Sequence, residues 1–170
     1  MKCPSCGHDN IEGSDECQNC GASLYGLDLP GERYGSQAPD FIHDPLTSIA
    51  LRPAVRLAPD APLSLAIREM KRADTNAILI MRDGERLVGI ITGWDIVQKV
   101  AGPMHDHSAV TCGEIMTPDP LVLHRDDTVA MALNLMAARG FRHVPIVNGD
   151  GPEGVIIASD LFRHISPQLV

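Results

Sequence analysis

An internal repeat constrains the fold of this chain more than any other feature of its sequence. Residues 61–80 align with residues 127–146 at an offset of 66. Further along, Asp95 aligns with Asp160 at an offset of 65, so one residue has been lost in the turn between these aligned segments. A repeat of this length indicates two copies of one structural unit that pack against each other.

Each copy has the same predicted order of elements, β-α-β-β-α. Apolar residues recur at helical spacing through residues 62–73 of the first copy and 127–138 of the second. A hairpin then follows around Asp83-Gly84, or around residues 148–151. The remaining predicted elements are strands at 54–57 and 120–123 and helices at 94–101 and 159–165. One unit of about 55 residues buries too little apolar surface to be stable alone. We therefore expect an α+β fold in which the two units pack sheet to sheet around one core, with approximate two-fold symmetry.

The composition fits such a core and argues against several classes of protein. Apolar residues make up 44% of the chain and aromatic residues only 4%, so the core must be aliphatic. No apolar run approaches the length of about 20 residues that a membrane-spanning helix needs. The formal net charge of −8 argues against broad binding to nucleic acid, which requires a basic surface. The N-terminus is polar and lacks the apolar segment of a signal peptide, so we expect a cytoplasmic protein.

The second helix of each copy begins at a turn with polar side chains. In the first copy this sequence is GIITGWDI (residues 89–96), in which Thr92 and Asp95 have the spacing of a capping box. The same helix N-terminus presents free backbone amides that can bind a phosphate group. The second copy reads GVIIASDL, which keeps Asp160 but has Ile157 in place of the threonine. The first turn is therefore both a cap and a candidate ligand site, and the second turn lacks the hydroxyl.

These motifs resemble those of tandem CBS domains, also called a Bateman module, over about residues 46–166. The resemblance is carried by the two turn motifs, by EIMTPDPLVLHRDDTVAMALNLM, by FRHVPIV and by ADTNAILIM, together with the internal repeat. It implies that adenosyl ligands such as AMP, ADP, ATP or S-adenosylmethionine bind in two clefts between the repeats. It also implies a homodimer with the shape of a flat disc, which passes the state of the ligand to an attached domain.

The resemblance also implies which residues line each cleft. In the first cleft, Thr92 would contact the phosphate or the ribose, and Asp95 would accept hydrogen bonds from the ribose hydroxyls. The slot for the base would be formed by Pro53, Ala54, Val55, Asn76, Ala77 and Ile78. The second cleft would be lined by Thr117, Pro118, Arg142, His143, Val144, Pro145 and Asp160. Arg142 and His143 could contact phosphate there, although His143 fits equally well as a strand-edge residue with a satisfied hydrogen bond.

The two clefts are not expected to be equivalent. Ile157 offers no hydroxyl to cap the helix or to bind phosphate, and Ser159 could replace it only in part. We therefore expect the first cleft to bind ligand better than the second, or to be the only one that is occupied.

Four of the five cysteines form two CxxC pairs near the N-terminus, separated by ten residues. Two residues between thiolates allow a tight turn to direct both sulfurs at one ion. Gly7 and Gly21 follow the two pairs, at positions where a positive φ is favoured. Such a set of four sulfurs suits a structural Zn²⁺ with every ligand position filled. Its ligands would be Cys3, Cys6, Cys17 and Cys20. Iron in the same site and two disulfides are the alternatives.

This segment resembles a short zinc ribbon of the kind found at protein termini. About twenty residues cannot bury a core, so a bound metal must supply the folding energy. Residues 1–20 carry one lysine against four acidic residues, a net charge of −3, which favours contact with protein over contact with DNA. The expected organisation is therefore a zinc ribbon at 1–24, a linker at 25–45 and CBS repeats at 46–107 and 108–170.

The leading functional hypothesis is a regulatory protein without catalytic activity, which senses an adenosyl ligand and signals through its zinc ribbon to a protein partner. The sequence has no P-loop, no GxSxG motif and no open metal site with a general base. The first alternative is an interaction adaptor in which the CBS pair serves mainly as a dimeriser. The second alternative is a redox carrier with iron in the four-cysteine site.

Overall fold

The computed structural model describes residues 1–3, 5–24, 40–100, 110–149 and 151–168. The chain divides into two compact units, each built from discontinuous segments. Unit 1 comprises Met1–Ala50, Leu123–Val144 and Ile156–Val170, and unit 2 comprises Leu51–Val122 and Pro145–Val155. Most of the expected linker, residues 25–39, lies outside the described residues. Within the described ranges, no helix is long and apolar enough to cross a membrane.

Unit 2 holds the first β-α-β-β-α copy. Its elements follow the predicted order: β1 (Val55–Leu57), α1 (Leu63–Arg72), β2 (Ala77–Arg82), β3 (Arg86–Thr92) and α2 (Gly93–Val100). β1 pairs in parallel with β2, and β2 pairs antiparallel with β3. The first five residues of β2 are all buried, the pattern of a strand that is covered on both faces. The core of this unit is aliphatic and includes Leu63, Ala66, Met70, Ile78, Ile80 and Ile91.

The predicted strand at 120–123 is replaced by two shorter strands. A short helix, α3 (Cys112–Ile115), leads into β4 (Thr117–Pro118), and β5 (Leu123–His124) follows after a break. Asp119 has left-handed backbone with φ of 45°, and Pro120 has no amide hydrogen to donate, so a continuous strand is interrupted here. β4 pairs antiparallel with β3. The leading strand of the second copy therefore extends the sheet of the first copy.

Unit 1 contains the two helices of the second copy, α4 (Val129–Arg139) and α5 (Ala158–Ile165). The strands β6 (His143–Asn148) and β7 (Gly151–Ile157) complete this copy, and the second sheet has the order β5-β6-β7. α4 begins after Thr128, whose hydroxyl accepts a hydrogen bond from the Met131 amide at 3.2 Å. It ends at Gly140, which has left-handed backbone. The second copy thus has the predicted β-α-β-β-α order.

The segment that leads into each copy, its leading segment, pairs with the last strand of the other copy. The glycines of the two turn motifs, Gly89 and Gly154, permit this exchange. Arg52, just before β1, pairs with Val155 of β7, as β4 pairs with β3. A Cβ atom at Gly89 would overlap the Met116 side chain, and one at Gly154 would lie 2.7 Å from the carbonyl oxygen of Arg52. Each motif glycine therefore lies where the leading segment of the other copy approaches the strand too closely for a side chain.

Gly154→Ala is expected to lower the free energy of unfolding by about 1–3 kcal/mol, the range for overpacking a filled interior. The added methyl group would press against the backbone of Arg52, which cannot move aside as the end of a flexible side chain can. Urea unfolding measures the change. Gly149→Ala is the control, because an added Cβ there meets no atom within 4 Å. An equal loss of stability in both variants would contradict the close approach as the cause.

Candidate functional site

Four cysteine side chains converge near the N-terminus. Cys3 Sγ lies 3.7 Å from Cys20 Sγ, and Cys6 Sγ lies 3.6 Å from Cys17 Sγ. All four sulfur atoms lie within 4.8 Å of one another. A disulfide needs a sulfur separation of about 2.0 Å, whereas a tetrahedral ion with Zn–S bonds of about 2.3 Å keeps its sulfur ligands about 3.8 Å apart. The cysteines are free thiols, and their spacing fits one tetrahedral metal ion.

The two CxxC pairs form matching turns. The Gly7 amide donates to the Cys3 carbonyl oxygen at 2.9 Å, and the Gly21 amide donates to the Cys17 carbonyl oxygen at 2.9 Å. Both glycines have φ of 71°, in the left-handed region that glycine adopts without strain. The predicted role of these two glycines is confirmed.

Asn10 supports the second cysteine pair, a role that the CxxC spacing does not reveal. Its side chain is buried, accepts a hydrogen bond from the Gln18 amide at 2.9 Å and donates to Cys17 Sγ at 3.5 Å. Burial raises the pKa of the Cys3 and Cys20 thiols. Burial also opposes ionisation of Cys17, but hydrogen bonds from backbone amides, the Cys20 amide foremost, and from Asn10 lower the pKa of that thiol to about 6. Cys17 is therefore better prepared than Cys3 or Cys20 to bind a cation as thiolate.

The second cluster lies at the N-terminus of α2, in unit 2. The Thr92 amide and hydroxyl both donate to Asp95 Oδ2, at 2.8 and 2.6 Å, and the Asp95 amide donates to Thr92 Oγ1 at 3.4 Å. This is the reciprocal pattern of a capping box. The capping box predicted from the sequence is confirmed.

The other oxygen of Asp95 has partners from elsewhere in unit 2. The Thr117 hydroxyl donates to Asp95 Oδ1 at 3.2 Å, and Lys99 Nζ lies 3.4 Å from the same oxygen. Lys99 Nζ also donates to the Ile115 carbonyl oxygen at 2.6 Å. Burial disfavours the charged carboxylate, but the hydrogen bonds from Thr92 and the charge of Lys99 outweigh it and hold the pKa of Asp95 below its ordinary value.

Two of these contacts were not predicted from the sequence: Thr117 was expected in the other cleft, and Lys99 was given no role. The resemblance assigns Thr117 with Pro118 to the second cleft, but the pairing of β4 with β3 brings its hydroxyl to Asp95 of the first copy. The sequence motifs assign no role to Lys99, although its position four residues after Asp95 is a spacing at which helical side chains meet. The first site therefore contains two residues that the motifs alone do not place there.

The residues expected around the base in the first cleft are neighbours in the sheet of unit 2. Ile78 of β2 pairs with Val55 of β1, and Ala77 pairs with Thr92 at the end of β3. The Asn76 carbonyl oxygen accepts a hydrogen bond from the Gly93 amide at 2.9 Å. Pro53 and Ala54 directly precede β1. The turn at residues 92–95 therefore lies next to the beginnings of β1 and β2, where these residues are found.

The turn of the second copy is built differently. Ile157 precedes α5 without a side-chain cap, as the loss of the hydroxyl predicted. Asp160 is 8% exposed, and its Oδ1 accepts a hydrogen bond from Arg163 Nη1 at 3.3 Å. The Arg142 carbonyl oxygen accepts from the Ala158 amide at 3.0 Å, which repeats the bond between Asn76 and Gly93 in the first copy.

The remaining residues expected in the second cleft belong to both units. Arg142 is exposed, His143 is half-buried and Val144 is buried, and all three lie in unit 1. Pro145 is buried in unit 2, and Pro118 is exposed in β4 of the same unit. Of these residues, Arg142 is linked directly to the start of α5, by the hydrogen bond from the Ala158 amide to its carbonyl oxygen.

Comparison with protein families agrees with the repeat. The CBS domain model matches the sequence twice, at residues 46–102 and 112–167. The chain is 33% identical over 121 residues to an uncharacterised 17.7 kDa protein of Acidianus ambivalens, which covers 71% of this chain and 72% of that protein. It is 32% identical over 107 residues to the meiotically up-regulated gene 70 protein of Schizosaccharomyces pombe, covering 63% of this chain. The match spans only 15% of that second relative.

Solved structures share the fold. The CBS domain pair of protein MJ0100, in complex with 5′-methylthioadenosine and S-adenosyl-L-methionine, has a TM-score of 0.65 at 24% identity and covers 74% of this chain and 98% of that chain. CBSX2 in complex with AMP has a TM-score of 0.62 at 18% identity and covers 72% of this chain and 97% of that chain. The repeat, the two matches to the family model and the shared fold agree, and the chain belongs to the CBS domain family, with two CBS domains in tandem.

Proposed function

We propose that this chain is a regulatory module that binds an adenosyl ligand at the turn of residues 92–95 and holds a structural zinc ion on its four N-terminal cysteines. The observation that carries this proposal is the Asp95 carboxylate, which lies at a helix N-terminus with its two oxygens in different environments. The ligand class is supported by two proteins of the same fold, one in complex with 5′-methylthioadenosine and S-adenosyl-L-methionine and the other with AMP.

The two oxygens of Asp95 allow capping and ribose binding at the same time. Oδ2 is engaged by Thr92 at 2.6 and 2.8 Å, whereas Oδ1 accepts a longer bond of 3.2 Å from the exposed Thr117. Ribose hydroxyls can replace the Thr117 hydroxyl as donors to Oδ1 while the cap stays intact. Hydrogen bonds to a charged group are also stronger than neutral ones.

The surroundings of the turn suit the other parts of an adenosyl ligand. Val55, which is half-buried at the start of β1, offers apolar surface for the base next to the buried Ala77 and Ile78. Backbone amides at the start of α2 and the charge of Lys99 favour an anionic group next to the ribose. A nucleotide is therefore expected to gain affinity from its phosphate, and a sulfonium ligand to depend more on the base and ribose.

The four cysteines are proposed to bind zinc in a structural role. Four thiolates occupy all four coordination positions of a tetrahedral zinc ion, so no position is left for a substrate. We propose that the protein acts in the cytoplasm, where thiols remain reduced. A protein partner fits the acidic ribbon better than nucleic acid does, because nucleic acid binding needs basic residues.

Calorimetric titration of the purified chain with AMP, ATP and S-adenosylmethionine tests the proposed ligand class. We expect saturable binding of at least one of the three at one site per chain, because only the first turn has the Thr92 hydroxyl. The Asp160→Ala variant is expected to retain this binding. Absence of binding by all three at millimolar concentration would contradict the sensing function.

A second candidate function, dimerisation as the main role of the CBS pair, is favoured by exposed apolar side chains on α2. Trp94 is 65% exposed and Val97 is 55% exposed, and their spacing of three residues places them on one face of this helix. A second copy of the chain is the proposed occupant of that face. If the chain is an interaction adaptor, two copies must form this contact between their α2 helices without any bound ligand.

Light scattering on Val97→Glu tests the dimer. We expect a change from dimer to monomer, because a carboxylate would be buried without a partner. Gln98→Glu is the matched control, since it adds the same charge at the next, also exposed, position. A dimer that persists in Val97→Glu would exclude this face as the contact.

A further inference from the structure

The loop between the first two cysteines is held by the second repeat. Ser5 lies between Cys3 and Cys6, and its carbonyl oxygen accepts a hydrogen bond from the Thr128 hydroxyl at 3.2 Å. Its own hydroxyl oxygen accepts from Asn134 Nδ2 at 2.7 Å. Thr128 is the N-cap of α4 and Asn134 lies within it. The helix therefore contacts the very loop that directs two of the four sulfurs.

The second cysteine pair also lies against α4. A Cβ atom added at Gly21 would lie 3.1 Å from the Ala138 side chain, so the turn packs closely on the helix. Met131 packs against the small core of the ribbon, which consists of Cys3, Cys17, Cys20, Ala22 and Leu24. The contact positions 128, 131, 134 and 138 are three or four residues apart, so they form one face of α4.

The corresponding face of α1 in the first repeat is of a different kind. At the offset of 66, the equivalents of these four positions are Pro62, Leu65, Arg68 and Arg72. The Arg72 side chain is 72% exposed and pairs with Glu69 on the helix surface. On α4 the same positions are threonine, methionine, asparagine and alanine, none of them charged. The face of α4 that meets the N-terminal segment is therefore uncharged, whereas the equivalent face of α1 carries Arg68 and Arg72.

α4 is in turn linked to the second turn within unit 1. Asp44 joins the two helices: its carbonyl oxygen accepts from the Val129 amide at 2.9 Å at the start of α4, and its Oδ2 lies 2.8 Å from His164 Nε2 on α5. At the other end of α4, the chain passes Gly140 to Arg142, whose carbonyl oxygen accepts from the Ala158 amide. Both ends of α4 therefore connect to the helix that carries Asp160.

We propose that the ribbon is an internal regulator of the second CBS repeat: a metal ion on the four cysteines stabilises α4 through Ser5, and through α4 the turn that carries Asp160. The reverse effect must be equal, because linkage between two binding events is reciprocal. Any loss of contact between α4 and Ser5 therefore weakens metal binding. The part of this proposal that concerns a ligand at Asp160 goes beyond the proposed function, which places the adenosyl site at residues 92–95, and the part that concerns α4 needs no ligand.

Hydrogen exchange on the full-length protein tests the effect on α4 without any ligand. The zinc-loaded chain is compared with the chain after chelation by EDTA, and peptides from α4 are compared with peptides from α1. We expect at least about tenfold faster exchange in α4 on chelation and no change in α1. Equal exchange of α4 in both states, or an equal increase in both helices, would overturn the proposal.

A pair of matched variants tests the reverse effect. Asn134→Ala removes the donor to Ser5, and Arg68→Ala changes the equivalent position of α1. Competition with a chromophoric chelator measures the zinc affinity of each. We expect roughly a two- to tenfold loss in Asn134→Ala, as for one intramolecular hydrogen bond, and no change in Arg68→Ala. Equal zinc affinities of Asn134→Ala and the unaltered chain would overturn the proposal.

Ligand titration separates this inference from the proposed function. In an Asp95→Ala background, AMP is titrated into the zinc-loaded and the chelated chain. We expect weak residual binding of AMP to the zinc-loaded chain, because the second turn keeps Asp160 but has no side-chain cap at Ile157, and still weaker binding after chelation. No binding in either state would contradict a ligand at Asp160, while exchange in α4 still decides whether the ribbon regulates the second repeat.

Discussion

Asp95→Ala is expected to weaken binding of an adenosyl ligand by about a hundredfold or more. Two ribose hydroxyls that donate to a carboxylate contribute about 1.5–3 kcal/mol each, and every 1.4 kcal/mol is a factor of ten in affinity. The variant also loses the acceptor of the capping box, which costs about 0.5–2 kcal/mol of stability. Calorimetry measures the affinity, and urea unfolding shows that the chain remains folded.

Two comparison variants make the Asp95 result specific. Asp160→Ala removes the aligned carboxylate of the second repeat and is expected to have a much smaller effect on total binding, because that turn lacks the Thr92 equivalent. Asp95→Asn keeps an acceptor oxygen for the cap but removes the charge, so it should keep stability while losing affinity. Unchanged affinity in a folded Asp95→Ala variant would refute the assignment of the first site.

Removal of the metal is expected to unfold residues 1–24. The core of the N-terminal four-cysteine segment consists of only five buried residues, three of which are cysteines, and a structural zinc ion supplies about 10–16 kcal/mol in small zinc-dependent folds. Chelation should therefore abolish protection of the amides that close the two cysteine turns, such as that of Gly21. Hydrogen exchange and limited proteolysis both report this loss.

Metal analysis of cysteine variants identifies the ion and its ligands. The unaltered chain is expected to be colourless and to contain one zinc per chain, and a visible absorption band would support iron instead. Cys17→Ser should lose the metal, because a serine hydroxyl does not ionise at neutral pH. Cys112→Ala is the control, since this fifth cysteine lies buried in the core of unit 2 and should retain one metal per chain. Full metal content in Cys17→Ser would contradict a four-cysteine site.

The repeat and the local motifs could be predicted from sequence because their signals are short in range. The order of elements in both copies, the capping box of Thr92 and Asp95 and the role of Gly7 and Gly21 depend on residues only a few positions apart. The missing cap at Ile157 follows in the same way from a single side chain. Hydrophobic period, turn residues and cap residues each carry this information directly.

The exchange of leading segments between the two copies could not be predicted from these short-range signals. Residues 120–123 have the apolar character of a strand, yet Asp119 and Pro120 interrupt it, and Thr117 pairs in the sheet of the first repeat. The glycines at 89 and 154 were visible as a repeated motif. The reason for these glycines is the close approach of Met116 in one case and of Arg52 in the other. This approach is apparent only once the segments are paired in the structure.

By itself, the sequence determined the tandem repeat, the four-cysteine site and the asymmetry between the turns at Thr92 and Ile157. Only the tertiary structure decided that the Thr117 hydroxyl donates to Asp95 and that the N-terminal four-cysteine segment contacts α4 through Ser5. The physical reason is the range of the interactions. A cap or a CxxC turn is closed by neighbours in the chain, whereas the bond from Asn134 to Ser5 joins residues 129 positions apart. Which side chains meet over such distances depends on the whole fold.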